Sequence, residues 1–220
     1  NKNPGPKRKL QKQEIVDFFS ILRKQNPEPK SDLEYTSPFT LLVAVILSAQ
    51  ATDEGVNKAT RRLFPVAETP EQILEMGEEK LKSYIKTIGL FNSKARNIIS
   101  MCKILIDEHN SEVPKTREEL VKLPGVGQKT ANVVLNIVYG EPRIAVDTHV
   151  FRVSNRTGLA PAKTHDKVED KLEKVIPSDF KRHAHHWLIL HGRYTCKARR
   201  PLCQTCPVEH ICQYKDKTGV

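Results

Sequence analysis

The sequence predicts an all-α fold, and three observations carry that prediction. Apolar residues recur three and four positions apart along most of the 220 residues, as they do on one face of a helix. Ser, Thr or Pro precedes several of these segments and Gly follows several of them, which is the pattern of helix starts and ends. No convincing segment alternates apolar and polar residues with the period of two that a half-buried strand requires. A succession of helices without strands indicates a core made by packing helix on helix.

The first half of the chain contains five predicted helices. The first is predicted over residues 14–25, where apolar residues have helical spacing and two prolines follow. Ser37 and Pro38 provide an N-cap and a first turn for a helix over residues 38–51, which is apolar nearly all round and should be buried. Further helices are predicted over residues 70–76, over a segment that ends at Gly89, and from a cap at Asn92 or Ser93.

The second half adds five more predicted helices. They are a short helix that begins at Thr116, a helix from Gln128, and helices over residues 148–157, 165–175 and 179–194. In the first half, Leu90 and Phe91 lie between the fourth and fifth predicted helices. They directly follow the stop at Gly89, in a connection that should be polar. Either they fold back on the core or one of them projects from the surface.

The charge of the chain points to a polyanionic partner. The formal net charge is +10 and the pI is about 9.4, which fits nucleic acid or an anionic membrane surface. No apolar run reaches the length of about 20 residues needed to span a bilayer, so a membrane-spanning protein is not expected. Residues 1–13 contain Lys2, Lys7, Arg8, Lys9 and Lys12 and no acidic residue. We expect this segment to be a mobile basic arm and not a secretion signal, since it lacks an apolar core.

A tight turn between two predicted helices is the first candidate site. Pro124, Gly125 and Gly127 form a hairpin, and the helix from Gln128 begins immediately after it. Gly can adopt positive φ and exposes backbone amides, and the positive end of a helix dipole attracts an anion. A phosphate fits this arrangement. The alternative is a helix–helix turn that binds no ligand.

Two side chains that follow this turn in sequence are candidates for catalysis, one immediately after it and the other about eighteen residues further on. Lys129 lies in the first helical turn, where the helix dipole disfavours the protonated amine, and a neutral lysine is a nucleophile. Asp147 follows the short apolar run at residues 144–146 and supplies a carboxylate. The alternatives are a solvated surface lysine and an aspartate that only caps a helix.

Four cysteines near the C-terminus have the spacing of a metal-ligand set, C-x6-C-x2-C-x5-C, within seventeen residues. They are Cys196, Cys203, Cys206 and Cys212. Such spacing brings four thiolates to one centre and allows either zinc or a [4Fe–4S] cluster, of which zinc is the commoner in proteins. Lys197, Arg199 and Arg200 lie between the first two cysteines, in a loop that either contacts phosphates or is simply solvated.

A run of histidines offers a competing metal site. His183, His185, His186 and His191 fall within nine residues, but no carboxylate in that run completes an open metal site. We therefore expect these histidines to be structural or close to nucleic acid.

Several of these segments together resemble the endonuclease III family of helix–hairpin–helix DNA glycosylases. The resemblance rests on LPGVGQKTAN, VDTHVFRVSNRTG and the four cysteines, and also on ILSAQATD, IKTIGLFNSKARNI and HHWLILHGRYTC. It extends from about Pro38 to Tyr214.

The resemblance implies two helical lobes with a DNA-binding cleft between them. Residues 31–141 would form a barrel-like domain that contains the helix–hairpin–helix, and residues 1–30 and 142–220 would form the second domain. The cysteines would hold a structural [4Fe–4S] cluster in the loop 196–212, which reverses the preference for zinc. The protein would be a monomer, with no membrane partner.

The resemblance also implies a reaction. The protein would be a DNA glycosylase and abasic-site lyase of base excision repair that removes oxidised pyrimidines, with Lys129 attacking the sugar and Asp147 assisting. Its partner would be double-stranded DNA with damaged bases or abasic sites. Contacts with DNA would come from Gln50, Leu90, Gly125, Val126, Gly127, Thr130, Lys197, Arg199 and Arg200. We expect an intracellular protein, in the bacterial cytoplasm or nucleoid, or in the nucleus or an organelle of a eukaryote.

Two other functions remain open from the sequence. One is a monofunctional glycosylase for adenine or thymine mismatches, although related enzymes of that kind generally lack a lysine at the position of Lys129. The other is a non-catalytic DNA-binding protein, against which the presence of both Lys129 and Asp147 argues.

Overall fold

The computed structural model describes residues 5–219, in which helices are joined by turns and loops. They form eleven α-helices and one short 3-10 helix, with one isolated β-bridge between Pro6 and Tyr214 and no β-strand among the described residues. The prediction of an all-α fold is confirmed. The helices are α1 Lys12–Gln25, α2 Pro38–Leu47, α3 Asp53–Leu63, α4 Pro70–Met76, α5 Glu78–Ile85, α6 Phe91–His109, α7 Arg117–Leu120, α8 Gln128–Tyr139, α9 Thr148–Thr157, α10 His165–Val175 and α11 Ser178–Tyr194. None of these described helices is long and apolar enough to cross a membrane.

The chain divides into two compact units. Unit 1 consists of Asn1–Lys30 and Glu141–Val220, and unit 2 consists of Ser31–Gly140. The two units differ sharply in charge. Unit 1 contains 23 Lys and Arg residues and 12 Asp and Glu residues, whereas unit 2 contains 13 Lys and Arg residues and 14 Asp and Glu residues. The positive charge of the chain therefore belongs to unit 1.

Unit 2 is built around α2. Its residues from Phe39 to Leu47 are all buried, as the apolar sequence of this helix predicts, and α3, α6 and α8 pack against it. Ser37 caps the helix by accepting a hydrogen bond from the Thr40 amide. The apolar faces of α4, α5 and α6 complete the same core.

Three helices in unit 2 have other boundaries than predicted, and one helix was not predicted. Helix α5 ends at Ile85, before the predicted stop at Gly89. Helix α2 ends at Leu47 and not at Ala51, because the chain turns at Ser48 and Gln50 adopts a left-handed φ of 55°. Helix α6 is capped by Leu90, with φ 60°, and not by Asn92 or Ser93; the Ser93 hydroxyl bonds back to the Leu90 carbonyl. Helix α3 was not predicted, since its charged sequence hides the buried face made by Val56, Ala59 and Leu63.

Unit 1 has an aromatic core between α1 and α11. Phe19 stacks on Phe180 with ring centroids 5.7 Å apart and also contacts Trp187. The Trp187 indole donates a hydrogen bond of 2.7 Å to the Asn26 carbonyl at the end of α1. Two helices that are far apart in sequence are thus joined by stacking, burial and a satisfied indole N–H.

The prediction of a mobile basic arm is wrong for the described part of the N-terminal segment. The Lys7 amide donates to the Gln213 carbonyl at 2.8 Å, the Leu10 amide donates to the Gly158 carbonyl at 2.9 Å, and the Leu10 side chain is buried. Gly158 lies directly against the Arg8 carbonyl with a left-handed φ of 85°, so the close approach requires glycine. Residues 5–10 therefore form a fixed strap on unit 1, while Lys2 lies outside the described residues.

Candidate functional site

The hairpin between α7 and α8 presents unpaired amides at a helix start. Gly125 has a φ of 80° and packs against the Asn97 side chain, whereas Gly127 is extended, with φ −90°, and its Cβ position faces open space. The first intrahelical bond of α8 runs from the Ala131 amide to the Gly127 carbonyl, so the amides of residues 128–130 have no acceptor within the helix. No side chain caps α8 and its first turn contains no acid. This geometry suits an anion.

Lys129 and its neighbours in the hairpin have different exposures. Lys129 lies in the first turn of α8 and is exposed, whereas the neighbouring Thr130 is half-buried. The Val126 side chain is buried and its amide donates to the Leu123 carbonyl at 3.1 Å, so Val126 anchors the hairpin to the core of unit 2. The exposed backbone of the hairpin is that of Gly125 and Gly127.

Asp147 is the N-cap of α9 in unit 1. Its carboxylate accepts a hydrogen bond of 2.8 Å from the Val150 amide, and the three residues before it are buried. The alternative considered from the sequence, a helix cap, is therefore observed. A cap also fixes the direction of the carboxylate, which is half-buried, so capping and a role in catalysis are compatible.

Gln50 and Leu90 lie close together in unit 2. Gln50 is exposed in the turn after α2, and Leu90 is 59% exposed at the start of α6. The Cβ position of Gly89 is 4.0 Å from the Gln50 carbonyl oxygen, so the two turns are in contact. Phe91, by contrast, folds back on the core. Of the two apolar residues after Gly89, the one that projects is Leu90.

The four cysteines line one small cavity in unit 1. Burial, together with the neighbouring thiols, raises the pKa of the Cys206 thiol to about 12, and burial likewise raises the pKa of Cys212. Thiols placed in this way need a positive centre to become thiolates. A cavity lined by four thiols fits either of the two metal centres that the spacing allows, zinc or a [4Fe–4S] cluster.

Two arginines of α9, Arg156, which is buried, and Arg152, which is half-buried, hold the first part of the cysteine loop and were not predicted. Arg156 donates to the carbonyls of Lys197 and Ala198, at 2.7 and 3.0 Å, and lies over the Tyr214 ring. Arg152 donates to the Cys196 carbonyl at 2.9 Å. A charged residue on a predicted helix is ordinarily expected to be exposed to solvent, so the sequence did not indicate either contact. The loop that carries the exposed Lys197, Arg199 and Arg200 is thereby fixed from α9.

The histidines of α11 support the structural interpretation. His185, His186 and His191 are buried, and His183 contacts the Trp187 ring. Burial lowers the pKa of His191 to about 4, so its ring is neutral at physiological pH.

A glycine sets the distance between α11 and the start of α9. A Cβ on Gly192 would stand 2.8 Å from the Cβ of His149 and 3.2 Å from its carbonyl oxygen, which is closer than packing allows. We expect Gly192→Ala to reduce the free energy of unfolding by about 1–3 kcal/mol because α9 must shift. Thermal unfolding followed by circular dichroism measures this, with Gly5→Ala, whose Cβ position is open, as the control. An unchanged melting temperature for Gly192→Ala would show that the helices separate without cost.

Comparisons with known proteins identify the family. The model of the HhH-GPD superfamily of base excision DNA repair proteins matches residues 43–178, and the iron–sulfur binding domain of endonuclease III matches residues 196–212. The chain is 62% identical over 208 residues to endonuclease III of Haemophilus influenzae, covering 94% of this chain and 99% of that protein. Endonuclease III of Escherichia coli K12 is 58% identical over 211 residues, covering 96% of this chain and all of that protein. The chain belongs to the endonuclease III family.

A solved structure of endonuclease III extends the match to three dimensions. A trapped endonuclease III–DNA covalent intermediate superposes with a TM-score of 0.86 at 47% identity, covering 93% of this chain and 96% of that one. As a member of this family, the chain has the helix–hairpin–helix glycosylase fold and is a bifunctional DNA glycosylase and abasic-site lyase of base excision repair. The predictions of fold, family and enzyme class are confirmed.

The family also decides the chemistry of the cysteine loop. Endonuclease III carries a structural [4Fe–4S] cluster, and the matched iron–sulfur domain covers the four cysteines from the first to the last. Zinc, which the spacing left open, is therefore not the resident metal. Iron bound by these four cysteines would supply the positive centre that burial of their thiolates requires.

Proposed function

We propose that this chain excises oxidised pyrimidines from duplex DNA through a covalent intermediate on Lys129. The observation that carries the proposal is the position of Lys129: exposed, in the first turn of the uncapped helix α8, beside a hairpin suited to a phosphate. The related solved structure is a trapped covalent endonuclease III–DNA intermediate, which requires a nucleophile on that protein.

The reaction follows from the chemistry of an amine. The Lys129 nitrogen attacks C1′ of the damaged nucleoside, the glycosidic bond breaks, and the base leaves with the bonding electrons and takes up a proton. The bound amine gives up one proton, and protonation of O4′ by solvent then breaks the C1′–O4′ bond, which opens the sugar ring and leaves a protonated Schiff base between Lys129 and C1′. Loss of a C2′ proton then expels the phosphate at C3′, which cuts the strand 3′ to the lesion. One lysine therefore serves both steps.

We assign Asp147 the task of stabilising the positive charge that develops on the sugar. A carboxylate whose direction is fixed by the cap to Val150 needs little reorganisation during the reaction. The same carboxylate can accept a proton from the attacking amine. Its place in the proposal depends on the family resemblance, since Lys129 and Asp147 belong to different units.

DNA binding, in this proposal, is divided between the units. Unit 1 supplies long-range attraction through its formal charge of +11, including the exposed loop with Lys197, Arg199 and Arg200. Unit 2 supplies the hairpin, with Gly125, Gly127 and the amide of Thr130 on a phosphate. Leu90 acts as an apolar wedge between base steps, and Gln50 fills the space that the extruded nucleotide leaves. The duplex with damaged or abasic sites is bound by a monomer. The bacterial sources of the relatives favour a location at the bacterial nucleoid.

A change at Gly127 separates DNA binding from folding. Its Cβ position meets no atom within 4 Å and its φ is one that any residue adopts, so Gly127→Ala should leave the melting temperature unchanged. The added methyl group would occupy the approach to the amides of α8, and we expect the Kd for an abasic-site duplex to rise about tenfold. Fluorescence anisotropy at fixed salt measures the Kd. An unchanged Kd would show that the hairpin does not contact the phosphate at Gly127.

The substrate class is tested by a panel of duplexes that each contain one lesion. Oxidised pyrimidines should be released and the strand cut by β-elimination, whereas undamaged duplex and adenine or thymine mismatches should remain intact. Release of a mismatched base without strand cleavage would instead support a monofunctional glycosylase. Binding without any base release would support the non-catalytic alternative.

A further inference from the structure

A buried lysine joins the two turns that carry Gln50 and Leu90. Lys94 is only 5% exposed, although lysine is rarely buried. Its ammonium group donates hydrogen bonds to the Leu47 carbonyl at 2.8 Å and the Ala49 carbonyl at 2.6 Å. Burial lowers the pKa of Lys94, so the protein tolerates a costly group at this position. The free-energy cost of burying this ammonium group indicates that Lys94 has a role other than packing.

The two carbonyls lie at the end of α2 and immediately before Gln50. Leu47 is the last residue of α2, where backbone carbonyls have no intrahelical donor and the helix dipole is negative. An ammonium group there satisfies both requirements. Lys94 itself lies one turn after Leu90, and its amide donates to the Leu90 carbonyl at 3.0 Å. A single side chain thus links the Gln50 turn to the start of α6.

Both linked turns are conformationally strained. Gln50 has a φ of 55° and Leu90 a φ of 60°, and neither is glycine. A left-handed conformation costs a residue with a side chain roughly 1–2 kcal/mol, and persists only where surrounding contacts enforce it. The contacts that can enforce it here are the two Lys94 hydrogen bonds and the packing of the Gly89 backbone against the Gln50 carbonyl.

We propose that Lys94 is a positioning residue that holds the Gln50 and Leu90 turns together in the geometry that inserts their side chains into the duplex. It touches neither the reacting atoms nor, by its burial, the DNA. The inference rests on the proposed roles of Gln50 and Leu90. It predicts that loss of the Lys94 ammonium slows opening of the duplex but leaves the chemistry of Lys129 unchanged.

A double-mutant cycle tests the proposal. Lys94→Met keeps the length of the side chain and removes its donors, and we expect it to lower kcat/KM on an oxidised-pyrimidine duplex by roughly ten- to a hundredfold. In a Gln50→Ala/Leu90→Ala background, where neither inserted side chain is left to position, the same change should cost less than about twofold, because the effects share one mechanism. Should Lys94→Met fail to fold, Lys94→Gln, which retains a donor, replaces it in the cycle.

A spectroscopic signal and two controls separate positioning from general destabilisation. With 2-aminopurine opposite an abasic site, the fluorescence rise on binding reports loss of stacking, and it should be much reduced by Lys94→Met and partly restored in Lys94→Arg. Leu105→Ala, a buried change far along the same helix, should lower stability without changing the fluorescence rise.

The outcomes are distinct. Non-additive losses with a reduced fluorescence signal would support the proposal. Additive losses in the cycle, or a normal fluorescence rise in Lys94→Met, would overturn it while the proposed function stands. Absence of activity in the unsubstituted protein would overturn the proposed function itself.

Discussion

Lys129→Gln is expected to abolish covalent trapping and to lower kcat for base release by a factor of roughly 10³ or more, because the amide is not a nucleophile. The change removes one charge from an exposed position, so folding should be unaffected and the Kd for an abasic-site duplex should rise only a fewfold. Single-turnover release of an oxidised pyrimidine measures the first effect and anisotropy measures the second.

Lys122→Gln is the matched control for this prediction. Lys122 is an exposed lysine just before the same hairpin and has no assigned role in the reaction. It should lose affinity at most slightly and retain full trapping. If Lys129→Gln retained a tenth or more of the rate, Lys129 would not be the nucleophile, and an activated water would have to replace it.

Removal of one cysteine ligand is expected to have the largest effect on stability. In Cys206→Ser the cluster loses a thiolate in a site where burial otherwise opposes charge, so the [4Fe–4S] cluster should not be retained. The segment 196–214 should then lose order, because few apolar side chains hold it. We expect the melting temperature to fall by about 10 °C or more and affinity for DNA to fall with it.

Iron content, visible absorption and thermal unfolding measure this prediction together. Cys102→Ala is the control, since Cys102 is buried in the core of unit 2 and away from the loop. It should reduce stability modestly and leave the iron content unchanged. Retention of four irons by Cys206→Ser would show that Cys206 is not a ligand.

The helices of this chain could be predicted where their signals are local. Helices α4, α9 and α10 begin and end at the predicted residues, 70–76, 148–157 and 165–175, because caps and stops depend on neighbours in sequence. The end of α2 could not be predicted, since the turn at Gln50 is held by a lysine 44 residues further along the chain.

The site shows the same division. The turn before α8 and the cap at Asp147 follow from short segments of sequence, whereas the residues alone left open which of Leu90 and Phe91 projects, and only the family resemblance named Leu90. The contacts made by Lys94, Arg152 and Arg156 do not, because each joins a side chain to backbone carbonyls that are more than 40 residues away. A charged residue with such a partner has the same local pattern as one that faces water. For the same reason, the N-terminal strap could not be distinguished from a mobile arm.

The most direct test of the account is to find which atom of the protein becomes bonded to DNA. The purified protein is incubated with a duplex that contains one oxidised pyrimidine, the intermediate is reduced with borohydride, and the adduct is digested and sequenced by mass spectrometry. We expect one modified residue, Lys129, with the sugar of the DNA joined to its side-chain nitrogen. A modification at any other lysine, or at the N-terminal amine, would contradict it.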